Sequence, residues 1–212
     1  MYIKRFIFNP LEENTYLVID EKTKHCLIID AGCLSTIEKQ TFADYIKNHE
    51  LIVDRVLNTH LHLDHCFGNH FIKETFGVGP EAHKEDEGLL NFMNPHAAIF
   101  GIECNEKPQA LSGYLNEGDI ITIGNSSFKV IHIPGHSKGS IAFYSESDNI
   151  LFSGDSLFKG GIGRTDLPRG SYSDLTRNLI QKIMILPDET EIYSGHGDVT
   201  TIGDERDSNP YI

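Results

Sequence analysis

The pattern of apolar and polar positions changes period several times along the chain, and each change predicts an element. The opening run MYIKRFIFNP alternates as a strand does. Residues 14–19 (NTYLVI) and 25–30 (HCLIID) predict a hairpin around the polar turn DEKTK. Over 35–48, Ile37, Phe42, Tyr45 and Ile46 recur at roughly helical spacing, with Ser35 as N-cap and Glu38 completing a capping box. LIVDRVLNTH (51–60) predicts a largely buried strand that runs into a group of histidines, with a helix over about 66–76 after it. Residues 91–110 have no clear period and read as either a mobile flap or a packed irregular connection. From about 112 the pattern turns β, with breaks at Glu117–Asp119 and Gly124–Ser126 and a turn near Asp148–Asn149. An amphipathic helix is expected over 171–185, capped by Ser171 or Ser173, and TEIYSGHG predicts a short final strand. Two β-rich halves with helices predict two sheets packed face to face with helices outside. No repeat or Pro/Gly/Ser-rich linker divides residues 1–212, so one domain is expected.

Charge narrows the partners. Asp and Glu number 31 against 18 Lys and Arg, a formal net charge of −13, which repels a phosphate backbone and argues against nucleic acid. An anionic small substrate needs a local basic patch against that field. No apolar run is long enough to cross a bilayer, and the N-terminus lacks the zones of a signal peptide, so an intracellular, cytoplasmic protein without membrane contact is expected. Cys26, Cys33, Cys66 and Cys104 form no CxxC pair and read as small buried hydrophobes. Oligomeric state leaves no signal in the sequence.

Histidine is the outlier, with eleven in the chain. The segments THLHLDH (59–65), PGHS (134–137), SGDS (153–156) and SGHG (194–197) all carry metal-ligand chemistry at strand ends or in loops. The last three set a His or Asp beside a glycine, which lets the backbone turn sharply. His60 and His62, two apart, point the same way in an extended segment. Closely spaced imidazoles with carboxylates suit zinc, iron or manganese. With Asp64, His65, His136, Asp155 and His196 they make seven candidate ligands, too many for one tetrahedral ion. They fit two divalent ions that share a carboxylate, with a water or hydroxide between them. His25, His49 and His96 read as ordinary polar residues; His70, His83 and His132 read as structural or supporting.

HxHxDH at a strand end, then PGHSKGS, FSGDSLF and SGHG in that order, resembles the metallo-β-lactamase-fold hydrolases over nearly the whole chain. The resemblance implies an α+β, four-layer αββα sandwich with the metal site at one edge of the two sheets. It implies one metal on His60, His62 and His136, a second on Asp64, His65 and His196, and Asp155 bridging them. GDSLFKGGIGRTDLPRG (154–170) and the ending GHGDVTTIGDERDSNPYI look most like the short glyoxalase II-type enzymes, hydroxyacylglutathione hydrolases that cleave thioesters such as S-lactoylglutathione.

The expected cofactors are therefore two divalent cations, zinc first, with iron or manganese accepted by the same ligands. The expected nucleophile is a metal-bridging hydroxide that attacks the thioester carbonyl, with Asp64 orienting it and taking its proton. No G-x-S-x-G elbow offers a serine alternative. Arg164 is the candidate contact for an anionic thioester, with Lys159 beside it; the competing reading pairs Arg164 with Asp166 to brace the loop. With its ending at Ile212, the C-terminal helical extension that adds glutathione contacts in the longer enzymes is not expected here. Persulfide dioxygenases share the fold and a similar GRTD segment, and would use one iron on His60, His136 and Asp155. The details of the GRTD stretch and the C-terminal ending look nearer the hydrolases. A purely structural zinc site is usually closed by four ligands, which seven do not suit.

Overall fold

The structure, a computed structural model, describes residues 1–212. Tyr2–Phe8 (β1), Glu13–Ile19 (β2), His25–Ile29 (β3), Ile52–Leu57 (β4), Pro80–Ala82 (β5) and Gly113–Tyr114 (β6) form one sheet in that order. Ile120–Ile123 (β7), Ser126–His132 (β8), Ile141–Ser145 (β9) and Ile150–Gly154 (β10) continue the chain into a second sheet. A small ribbon follows, Leu157–Phe158 (β11) with Gly161–Ile162 (β12). Glu191–Ser194 (β13) and Thr200–Thr201 (β14) then complete the second sheet in the order β14-β13-β10-β9-β8-β7.

Alternation along the strands builds three apolar layers. Tyr16, Val18, Leu27, Ile29 and Leu57 point from the first sheet into a shared core with Phe128, Val130, Phe143 and Phe152 of the second. The outward-pointing Leu17, Ile28 and Val56 are covered by Phe42 and Ile46 of Thr36–Asn48 (α1) and by Ile72 of Asn69–Phe76 (α3). Between these helices in the chain lies the short helix Leu63–Cys66 (α2). On the far face, Leu175, Leu179, Ile183 and Ile202 cover Ile131, Leu151 and Ile192. Those residues come from Tyr172–Asn178 (α5), the wider π-helical turn Leu179–Ile183 that continues it, and Ile202–Ser208 (α6). The result is the expected αββα order, with each buried large side chain contributing on the order of 2 kcal/mol.

Local signals hold where their chemistry is complete. Ser35 accepts from the Glu38 amide while Glu38 reaches back to the Ser35 amide, so the capping box forms at α1. Ser171, not Ser173, caps α5 by accepting from the Asp174 amide. Three expectations are corrected. The strand at 51–60 is buried only from Val56 onward. β5 is three residues long and meets β4 only at Val56 and Leu57, so the first half of β4 has no neighbour on that side. Asp54 there instead meets His25 at 2.6 Å. Residues 91–110 include a helix, Met93–Ile99 (α4), after a 3-10 turn at Lys84–Phe92. Its period was hidden because Met93 and Ala97 face the interior while Ile99 and Phe100, also apolar, do not. And β13 is not the last strand, since β14 returns antiparallel beside it.

Topology gathers the strand ends. β10 runs parallel to β13, and β9 is antiparallel to both β8 and β10, so β8, β10 and β13 all end at one edge. The segment after β4 crosses to that edge through a bond from the Ile141 amide to the Thr59 carbonyl.

Candidate metal centre

Four chain segments deliver the site. His60 and His62 follow β4, and Asp64 and His65 sit in the first turn of α2. His136, Asp155 and His196 follow β8, β10 and β13. The two-residue spacing does turn His60 and His62 the same way: His62 Nδ1 is 2.8 Å and His60 Nε2 3.2 Å from His136 Nε2. Asp155 reaches His65 Nε2 at 3.3 Å and both His136 Nε2 and His196 Nε2 at 3.6 Å. Asp64 Oδ2 lies 3.2 Å from His196 Nε2 and 3.7 Å from His65 Nε2. One potential ligand atom each from His60, His62 and His136 lie within 4.8 Å of one another; so do those of Asp64, His65 and His196, and those of His60, His65 and Asp155.

Proton accounting shows what these atoms are prepared to bind. A carbonyl can only accept, so His136 Nδ1 donates to the Arg164 carbonyl at 2.8 Å and a neutral His136 has its lone pair on Nε2. Thr59 Oγ1 donates to Asp30 Oδ2 at 2.7 Å, so it accepts from His60 Nδ1 at 3.1 Å, and the His60 lone pair is also on Nε2. His65 Nδ1 donates to Asp30 Oδ2 at 3.0 Å, leaving its Nε2 facing inward. Lone pairs from separate segments converge on one place, where they repel one another unless a cation lies between them. His65 Nε2 and Asp155 Oδ1 are both buried and make no hydrogen bond. Buried groups of this kind are ordinarily paired, so the donor set fits divalent cations.

Electrostatics agree. Burial, then the neighbouring imidazoles, holds His60 well below the ordinary histidine value. Burial, then His136, pushes His62 down to about 3. Both rings are therefore neutral near pH 7, the form that ligates a metal. His65 goes the other way: burial opposes its charge, but Asp155, Asp64 and Asp30 together outweigh burial and raise it. Burial raises Asp155, but His65, with His196 and His60, outweighs it and holds the carboxyl well below the usual range. The carboxylates draw positive charge to this spot, as protons on imidazole or as metal ions.

Residues that the sequence reading missed hold the ligands in place. Asp30, at the end of β3, accepts from the Thr59 amide at 2.7 Å, the Thr59 hydroxyl and His65. Its signal was available, an acid followed by Ala31 and Gly32 at a strand end. Asp86 left no signal. It accepts from Ser137 Oγ at 2.6 Å, the Gly139 amide at 2.7 Å and the Leu61 amide at 3.3 Å, tying the HxH segment to the loop that bears His136. Such supports orient metal ligands and raise their basicity. Gly154 is needed for close approach: its φ is +52°, and a Cβ there would strike the Thr59 side chain. Gly154→Ala is expected to cost roughly 2–4 kcal/mol, from left-handed strain plus overpacking. A urea titration beside wild type reads this, and a loss below about 1 kcal/mol would show that the contact relaxes freely.

The cluster floors a cavity of about 630 Å³ lined by His62, Asp64, His136, Asp155 and His196. Arg164 lines it as expected, although its guanidinium makes two 2.8 Å bonds to Asp166, the bracing arrangement. Lys159 does not line it. The β11–β12 turn, with Gly160 at φ +69°, carries Lys159 into solvent. His96, read as an ordinary polar residue, does line the cavity, stacked on Phe92 with centroids 5.8 Å apart. His70 pairs with Gln109, and His83 stacks on His132, both outside the cluster. No helix is long and apolar enough to cross a membrane.

A sequence profile described as the metallo-beta-lactamase superfamily matches residues 8–196. A protein named hydroxyacylglutathione hydrolase GloC, from Haemophilus influenzae, is 35% identical, covering 100% of this chain and 98% of its own. Among solved structures, BLEG-1 B3 metallo-beta-lactamase aligns with a TM-score of 0.88 at 32% identity over 99% of each chain. TTHA1623 in a di-iron-bound form aligns with a TM-score of 0.87 at 32% identity over 99% of this chain and 100% of its own. ETHE1 from Myxococcus xanthus aligns with a TM-score of 0.78 at 25% identity over 99% of this chain and 84% of its own.

Proposed function

The chain belongs to the metallo-beta-lactamase superfamily, whose members are largely metal-dependent hydrolases, and from that premise we propose that it cleaves thioesters at a pair of divalent cations. The observation that carries this reading is the convergence of imidazole lone pairs and two carboxylates at the floor of an open cavity. His60, His62 and His136 would hold one ion, Asp64, His65 and His196 the other, and Asp155 would face both. Such ions supply Lewis acidity: they polarise a carbonyl oxygen and lower the pKa of water from about 16 toward about 7. The relative named as a hydroxyacylglutathione hydrolase supports the thioester class, and the di-iron neighbour supports a two-ion site.

The chain's own residues divide the remaining work. Asp64 lines the cavity with Oδ2 held near His196, where it orients the attacking water and accepts its proton. The Arg164 carbonyl and Asp30 fix the rings of His136 and His65, so the ligands need little rearrangement. A thiolate leaves readily and needs no dedicated acid.

A zinc-loaded sample given S-D-lactoylglutathione is expected to lose thioester absorbance rapidly, and His60→Ala is expected to lose this activity by about 10³-fold or more. If wild type does not exceed His60→Ala, the thioester reading fails. The second reading is a one-iron persulfide dioxygenase on His60, His136 and Asp155, kept because ETHE1 is a structural neighbour. Oxygen uptake by iron-loaded protein with glutathione persulfide, absent with zinc, would favour it.

A further inference from the structure

The cavity walls differ in character from its floor. α4 is anchored by Met93 and Ala97, which pack with Leu63 and Cys66. That anchoring leaves Phe92, Ile99 and Phe100 on the cavity side, 53%, 77% and 46% exposed, where they line it with Leu11, Leu63 and Leu89. Large apolar side chains left exposed together around a concave site mark a ligand surface. The charged complement points the same way. Arg164 and Arg169 are the only cationic side chains of Lys or Arg type along the lining. Arg164 is committed to Asp166, and Arg169 lies 3.7 Å from Glu85. Glutathione brings two carboxylates and one ammonium. Each guanidinium of the lining already faces a carboxylate, which weakens its pull on those of glutathione, and the chain as a whole carries −13.

Building on the thioesterase reading, we infer that the preferred substrate is a thioester of an uncharged, apolar acyl chain, lying against Phe92, Ile99 and Phe100 with its carbonyl at the histidine cluster. The water oxygen bonds to the acyl carbon and the C–S bond breaks. The acid leaves as a carboxylate, and the sulfur leaves as a thiolate that takes up a proton. The hydrophobic wall acts on affinity for the chain, and the cluster acts on the bond.

The test uses zinc-loaded full-length protein and N-acetylcysteamine thioesters, whose carrier is uncharged. Acetyl, butanoyl, hexanoyl and octanoyl forms are compared with S-D-lactoylglutathione. Full burial of one methylene corresponds to about a fourfold gain. Against half-exposed walls, kcat/KM is expected to rise about twofold or more per methylene from acetyl to hexanoyl, and hexanoyl to exceed S-D-lactoylglutathione. Ile99→Ser with Phe100→Ser is expected to flatten that slope while zinc content stays at the wild-type value. A flat or falling slope in wild type, with S-D-lactoylglutathione the faster substrate, overturns this inference and leaves thioester hydrolysis standing. A slope that survives the double substitution overturns the placement of the chain on α4. No turnover of any thioester overturns both readings.

Discussion

Replacing Asp155 by alanine is expected to abolish hydrolysis, a fall of roughly 10³-fold or more in kcat/KM, and to leave at most one tightly held ion per chain. Asp155 is the one carboxylate that reaches ligand nitrogens of both histidine groups: His136 on one side, His65 and His196 on the other. Its Oδ1 is buried without a hydrogen bond, with His65 Nε2 3.3 Å away. On the two-cation reading, its loss would remove the negative charge that lets two dications lie close together. The fold itself does not depend on it, because a buried carboxylate without cations is costly rather than stabilising. The protein should therefore stay folded while the zinc-induced rise in Tm shrinks, since binding to the native state is what raises it. Elemental analysis after dialysis, beside a thermal scan with and without zinc, checks this. Retention of two ions with activity within about tenfold of wild type would remove Asp155 from the site.

Asp30→Ala is expected to weaken both stability and metal binding, through a residue that lies behind the ligands. Three donors lose their acceptor: the Thr59 amide, the Thr59 hydroxyl and His65 Nδ1. All belong to buried residues, and stranding a buried donor costs about 1–3 kcal/mol. A loss of at least about 3 kcal/mol overall follows, which for a chain of this size lowers Tm by at least about 6 °C. Zinc affinity should fall about 10–100-fold, because His65 and, through Thr59, His60 lose the contacts that set their tautomers. Asp30→Asn separates these effects. With its amide oxygen in the place of Oδ1 it still accepts from the Thr59 amide, so part of the stability returns, but its NH2 then replaces the Oδ2 that accepts from both the Thr59 hydroxyl and His65 Nδ1, so zinc affinity stays low. Competition with a chromophoric chelator reads the affinity. If Asp30→Asn binds zinc as wild type does, the tautomer argument is wrong.

How much of this was legible beforehand can be traced through particular residues. The hairpin, the capped helix at Ser35 and the later strand breaks were readable because each depends on neighbours within about four positions. β4 was misread because its exposure depends on the length of β5, more than twenty residues away. α4 was missed because its second apolar face serves the cavity instead of the core, which erases the period that betrays a helix.

The sequence by itself determined which side chains were available at the centre. His60, His62, Asp64 and His65 stand out by spacing alone, and His136, Asp155 and His196 by the glycine-flanked strand ends that carry them. Tertiary structure decided everything that depends on chain segments crossing. It brought His62 to His136 across 74 positions, Asp30 to His65 across 35 and Asp86 to Ser137 across 51. It also committed Arg164 to Asp166, turned Lys159 outward and walled the cavity with apolar side chains. The reason lies in range: hydrogen bonds and ligand contacts act over about 3 Å, and strand order decides which distant residues come that close.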